Sequence, residues 1–196
     1  MNRPYGRIKM QTIEQSFTGQ YEVKKSKFIA HLVPISQYKG LQEQLRAEHP
    51  KARHVVYALR YLNEFEQIVE NSSDDEEPKG AAGVPSLNVL RGEELINVAL
   101  LTVRYFGGTK LGIGGMARAY ASAVKEVVAL ADIKKYEKEF TYKFDSTYSD
   151  VQKREYVLNK LEIFQVERQF LGDKVSWEIK TTQEKLDEFK ALLTKS

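Results

Sequence analysis

Arg104-Tyr105-Phe106-Gly107-Gly108-Thr109-Lys110-Leu111-Gly112-Ile113-Gly114-Gly115-Met116-Ala117-Arg118-Ala119-Tyr120 places five of the chain's twelve glycines within nine positions and sets cations at both ends. Upstream, residues 95–103 form a continuous apolar run of strand length. Downstream, residues 116–130 carry Ala, Val and Leu at helical spacing. The order is therefore buried strand, glycine loop, helix. Glycines permit positive φ and let backbone N–H groups face a ligand with no Cβ in the way, while a helix N-terminus presents unpaired donors and partial positive charge. With Arg104, Lys110 and Arg118 beside Gly107, Gly108, Gly112, Gly114 and Gly115, an anion is the expected occupant. A tight strand-to-helix connection needs glycine too, so the loop also admits a purely structural reading.

Two nucleotide-binding patterns can be checked against this stretch. The Walker pattern fails, because Lys110 follows Thr109 and precedes Leu111. Residues 112–117 fit G-x-G-x-x-A, with Asp132 twenty positions after Gly112. The glycines nevertheless begin too far from the strand, and Asp132 falls at a helix end rather than at the tip of a second strand.

Working outward, residues 12–35 read as strands broken near Gly19, and Ser36 as the N-cap of a short amphipathic helix over 37–48 stopped by Pro50. Residues 55–62 and 65–69 read as a hairpin turning at Asn63-Glu64. Residues 71–85 are too polar and too rich in breakers to be regular. A boundary over 132–139, where charges interrupt the apolar pattern, divides the chain into domains 1–135 and 136–196. The second has a strand over 140–148, a helix over 150–161 capped by Ser149, strands over 163–170 and 175–181 flanking Leu171-Gly172-Asp173, and a final helix ending near Leu193. Its β-α-β-β-α order matches the start of a ferredoxin-like sandwich. The fold class is α+β.

Composition excludes several functions. The 196 residues include no cysteine, so disulfides, thiolate metal sites and cysteine nucleophiles are ruled out. Three scattered histidines make a structural zinc site improbable. Residues 1–9 lack an apolar signal core, and no run reaches membrane-spanning length, so a cytoplasmic protein with no membrane partner is expected. Residues 1–135 hold 19 Lys and Arg against 15 Asp and Glu, and residues 136–196 hold 11 against 12. The basic excess lies in the first domain, and falls short of a dedicated duplex binder's footprint.

Two further groups could carry chemistry. Asp74, Asp75, Glu76 and Glu77 are consecutive acids, which repel one another and either stay solvated or recruit a cation; Asp74, Asp75 and Glu77 are the metal candidates, with Mg²⁺ beside a phosphate as one resolution. His54 opens an apolar strand with Arg60 on the same face by the period of two, and a histidine there is structural, exposed or a proton-transfer group. Spacing alone assigns no catalytic residue and leaves open whether the protein is an enzyme.

Three segments resemble, in order and spacing, the bacterial YigZ proteins of the IMPACT family. These are Ala52-Arg53-His54-Val55-Val56-Tyr57-Ala58-Leu59-Arg60, the acidic stretch over 73–85, and the glycine stretch over 104–120. Lys24-Lys25-Ser26-Lys27-Phe28-Ile29 is similar to that family's early strand. The acidic motif there usually reads SDDGEPSGTAG, so Glu76, Lys79 and Ala81 stand in place of Gly, Ser and Thr. In the histidine motif, usually HNCWAYR, Val55, Val56, Tyr57 and Leu59 replace Asn, Cys, Trp and Tyr. The resemblance implies an N-terminal domain like the second domain of ribosomal protein S-five, followed by a small ferredoxin-like domain like those at the carboxy terminus of elongation factor G. It points toward RNA or the ribosome as partner. Two other expectations stand beside it: a Mg²⁺-dependent enzyme or switch for a nucleotide or phosphorylated small molecule, and a protein-binding regulator with a structural loop.

Overall fold

The computed structural model describes residues 10–52 and 54–194; the amino-terminal residues read above for a signal core lie outside them. Two compact units are present, residues 1–136 and 137–196.

The first unit begins with β1 (Gln11–Thr12) and the hairpin of β2 (Phe17–Val23) and β3 (Ser26–Pro34), followed by α1 (Tyr38–Glu48). A second hairpin, β4 (His54–Leu62) and β5 (Ile68–Ser73), leads into α2 (Gly83–Gly92). Then come β6 (Val98–Tyr105), α3 (Ile113–Leu130) and β7 (Lys134–Lys135), which pairs with β1. Five strands form one antiparallel sheet in the order β2-β3-β6-β4-β5.

The central strand β6 explains the uninterrupted apolar run. Its Val98 and Leu100 pack with Phe28, Ala30, Leu32, Val56 and Ala58 on one face, in a core with Tyr120, Ala123, Val124 and Val127 of α3 and Leu87 and Leu90 of α2. Ala99, Leu101 and Val103 pack on the other face with Val33, Val55, Leu59 and Leu45 of α1. A strand covered on both faces has no polar side to alternate with.

Several local expectations are corrected. Gly19 does not break a strand. It lies inside β2, where a Cβ would come 2.8 Å from the backbone nitrogen of Val127, so glycine serves the close approach of α3 to the sheet. The turn falls instead at Lys24 and Lys25, both at positive φ. Ser36 caps nothing, because it lies within a single 3-10 turn and α1 has no side-chain cap. Ser149 likewise lies in a 3-10 turn before the second unit's first helix, which has no side-chain cap. The irregular segment is shorter than 71–85, since β5 continues to Ser73 and α2 begins at Gly83. Pro85 fits inside α2 because the first turn has no helical partner for its missing N–H.

The second unit runs β8 (Glu139–Ser146), α4 (Val151–Lys160), β9 (Gln165–Leu171), β10 (Lys174–Thr182) and α5 (Gln183–Thr194), with an antiparallel sheet in the order β8-β10-β9. Gly172 turns β9 into β10 at a φ of +46°. Val175, Trp177 and Ile179 alternate inward to meet Leu158 of α4 and Phe189 of α5, and the Trp177 indole donates to Ser146 Oγ at 2.9 Å.

Candidate functional site

In the sheet of the first unit, His54 at the start of β4 stands directly opposite Arg104 near the end of β6. Between them and the glycine loop opens a cleft of about 510 Å³ lined by Lys51, His54, Arg104, Tyr105, Phe106 and Lys110. That volume lies within the usual range for small-molecule sites, roughly 300–1,000 Å³.

The acidic stretch contacts two of the cleft's lining residues, His54 through Asp75 and Arg104 through Glu77. Asp74 to Glu77 is a tight turn closed by Glu77 N–H donating to the Asp74 carbonyl at 3.0 Å, with Asp75 and Glu76 at φ of +46° and +69°. Positive φ at both central residues sends successive side chains different ways: Asp74, Asp75 and Glu77 each find their own partner, while Glu76 is exposed. Asp74 accepts the amides of Gly80 at 2.8 Å, Ala82 at 2.9 Å and Gly83 at 2.8 Å, so it caps α2 from nine residues upstream. Burial pushes its carboxyl up, but those three amides hold it net below the ordinary value. Asp75 accepts the amide of Val55 at 2.6 Å and an ion pair from Arg46 at 2.7 Å. Glu77 is buried and accepts both Arg104 Nη1 at 2.6 Å and the Tyr120 hydroxyl at 2.8 Å. Burial, then the charge and bond of Glu77, push the Tyr120 phenol upward, so it stays protonated and donates to Glu77.

Asp74, Asp75 and Glu77 are therefore dispersed rather than gathered as metal ligands. Among the described residues no cluster of three His, Asp or Glu side chains is placed to hold a metal.

His54 is held by the same turn. Its Nδ1 lies 2.6 Å from the Asp75 carbonyl, which can only accept, so Nδ1 carries the proton. Nε2 lies 4.0 Å from Glu77 Oε2, beyond hydrogen-bond reach. Arg60, although on the same face of β4, takes no part in the cleft: its guanidinium donates to Glu70 at 3.0 Å and to the Leu95 carbonyl at 2.7 Å.

The glycines divide by role. A Cβ on Gly107 would come within 2.0 Å of the Lys25 carbonyl carbon, and its amide donates to Ser26 Oγ at 3.1 Å. Gly107 is therefore a packing residue that docks the loop onto the β2–β3 turn. Gly108 and Gly112 have φ of +86° and +72° with open space around them, and their need for glycine is conformational. Gly114 and Gly115 occupy the first turn of α3, whose N-terminus has neither a side-chain cap nor an acidic residue. Arg118 extends back over this turn, with Nη1 3.6 Å from the position of a Gly114 Cβ.

The basic residues divide as well. Lys51, Lys110 and Arg118 are exposed. Arg104 is buried, with its charge matched by Glu77, which corrects the expectation that it is a free phosphate ligand. It forms part of the cleft's floor, 5.6 Å from the Phe28 ring centroid and 5.7 Å from that of Phe106. Sequence reasoning missed Lys51, which no local pattern marks. It also passed over Phe106, although an aromatic just beyond a buried strand and before two glycines has little core left to enter.

The model of the Impact N-terminal domain matches residues 24–128, more than half of the chain. The chain belongs to the IMPACT family. An IMPACT family member of Haemophilus influenzae is 31% identical over 145 residues, covering 72% of this chain and 70% of that protein. The IMPACT family member YigZ of Escherichia coli is 39% identical over 112 residues, 55% of this chain and 54% of its own length. For YvyE of Bacillus subtilis the figures are 36% over 118 residues, 59% and 54%. The aligned stretch thus spans about half the length of these last two relatives. A solved structure described as a hypothetical protein superposes with a TM-score of 0.67 at 28% identity, covering 95% of this chain and 91% of its own. The IMPACT match contains every residue of the cleft and of the acidic turn.

Proposed function

We propose that the protein is a translation-associated regulatory factor of the cytoplasm that binds RNA phosphates at the glycine loop. The observation that carries this reading is the concentration of Lys51, Lys110 and Arg118 around a cleft and an uncapped helix start, while Asp74, Asp75 and Glu77 nearby are consumed by internal partners. Phosphates approaching the loop meet exposed ammonium and guanidinium groups and the free amides of the first turn of α3. IMPACT membership supports the association with translation, and the mild basic excess of the first domain supports an anionic partner.

The finer fold assignment belongs to the same proposal. We assign residues 1–135 to a ribosomal protein S-five domain-2-like sandwich and residues 136–196 to a ferredoxin-like domain. The β8-β10-β9 order supports the latter, with the first strand beside the third.

The test is binding of ribosomes and structured RNA at low salt, by the wild-type chain and by Lys110→Ala combined with Arg118→Ala. The proposal expects binding that the double variant weakens at least tenfold with its melting temperature unchanged. Absence of binding by the wild-type chain removes the proposal.

A further inference from the structure

We propose that the Phe106 ring is a stacking platform for an unpaired base of single-stranded RNA, with the flanking phosphates against Lys51 and Lys110. The inference rests on the RNA reading above and deepens it.

Phe106 is 59% exposed although it directly follows the most deeply buried strand of the unit. It is not loosely placed. The Arg104 guanidinium lies against its ring at 5.7 Å and against the buried Phe28 ring at 5.6 Å, while Glu77 fixes Arg104 at 2.6 Å. Gly107, which follows it, is locked onto the Lys25–Ser26 backbone. An aromatic held on its inner side by a buried cation and open on its outer side suits a second flat ring.

The surroundings select what that ring belongs to. Lys51 and Lys110 share the cleft with Phe106, so the ligand carries anionic charge next to its aromatic face. A cleft of about 510 Å³ admits one nucleotide but not the width of a duplex. Bases inside a duplex are already stacked on both faces, so only an unpaired base can use Phe106. With Nδ1 bonded to the Asp75 carbonyl, Nε2 is the ring nitrogen of His54 left to hydrogen-bond a base or a 2′-hydroxyl in the same cleft.

The experiment uses the full chain with a fluorescein-labelled oligouridylate, an abasic oligomer of equal phosphate number, the matching RNA duplex and free UMP. Phe106→Ala is compared with Phe106→Tyr, which keeps the ring, and with Phe106→Leu, which keeps apolar bulk without a π face; thermal melts establish that each is folded. The inference expects Phe106→Ala and Phe106→Leu to lose roughly five- to a hundredfold in oligouridylate affinity, with Phe106→Tyr within about threefold of wild type and abasic affinity unchanged. Equal losses on the oligouridylate and the abasic oligomer, or no loss on either, overturn the stacking role while leaving phosphate binding intact. Tighter binding of UMP or duplex than of oligouridylate overturns the single-strand assignment. Failure of the wild-type chain to bind any RNA overturns the RNA reading together with this inference.

Discussion

Alanine at Gly107 and alanine at Gly114 should have opposite consequences, although both glycines lie in the same loop-to-helix stretch. At Gly107 the new Cβ would sit 2.0 Å from the Lys25 carbonyl carbon, 2.3 Å from its oxygen and 2.3 Å from the Ser26 nitrogen. These are backbone atoms, so no rotamer change relieves the clash. The loop must lift, which breaks the 3.1 Å bond from the Gly107 amide to Ser26 Oγ, and Ser26 is fully buried. Overpacking costs about 1–3 kcal/mol and the lost bond about 1 kcal/mol more, giving roughly 2–4 kcal/mol in total. At about 4 °C per kcal/mol for a unit of this size, the melting point should fall by roughly 8–16 °C. At Gly114 the nearest atom to a Cβ is the flexible Arg118 Nη1 at 3.6 Å, and a helical Gly→Ala change stabilises by up to about 1 kcal/mol. Calorimetry of both variants measures the difference. Trp177, the chain's single tryptophan, is buried in the second unit, so its fluorescence reports that unit separately. A Gly107→Ala melt within 1 °C of wild type, or a larger loss at Gly114 than at Gly107, would refute the division of the glycines into packing and open positions.

Four further outcomes follow from the acidic turn. Glu76→Gly should stabilise the first unit by about 0.5–1 kcal/mol, because a left-handed conformation costs a non-glycine residue about 1–2 kcal/mol and glycine gives back part of that in chain entropy; urea titration measures it. Asp74→Ala should cost roughly 2–3 kcal/mol through loss of the cap on α2, with faster amide exchange at Gly80, Ala82 and Gly83. Because those amides hold the Asp74 carboxyl below its ordinary 3.8, the unfolded chain binds its proton more readily. Its stabilising effect is then complete above pH 3.8 and lost as pH falls through the lower folded value, so Asp74→Asn should flatten the acid limb of a stability–pH curve. Glu77→Ala should cost about 3–5 kcal/mol, since it leaves the buried Arg104 charge uncompensated, and unchanged urea stability would contradict the buried pair.

The parts of the fold legible in the sequence were those with a local period. The apolar run of β6 and the helical spacing after Met116 define elements whose existence does not depend on distant residues. Gly19 was misread because a glycine that admits a neighbouring helix looks, in one dimension, the same as one that ends a strand. The start of α2 was hidden because its cap, Asp74, lies nine residues upstream, and no short-range capping pattern reports a side chain returning over that distance. The acidic run showed the same gap at the site: four adjacent acids are compatible with solvation or with one shared cation, whereas positive φ at Asp75 and Glu76 distributes Asp74, Asp75 and Glu77 to separate partners and leaves Glu76 exposed. Glu76 was the legible trace, since the IMPACT motif usually has glycine where φ is +69°. His54 and Lys110 could be nominated from sequence, but their meeting with Lys51 in one cleft depends on the β4–β6 register.

The most direct test of the central claim is the dependence of oligouridylate affinity on salt concentration, measured by fluorescence anisotropy for the wild-type chain and for Lys110→Ala. Phosphate contacts by Lys51, Lys110 and Arg118 predict a log–log slope near −2, at about −0.7 per contact with a single strand, and a slope shallower by about 0.7 in the variant. Undetectable binding at low salt, or a slope that Lys110→Ala leaves unchanged, would contradict the assignment of this cleft to RNA phosphates.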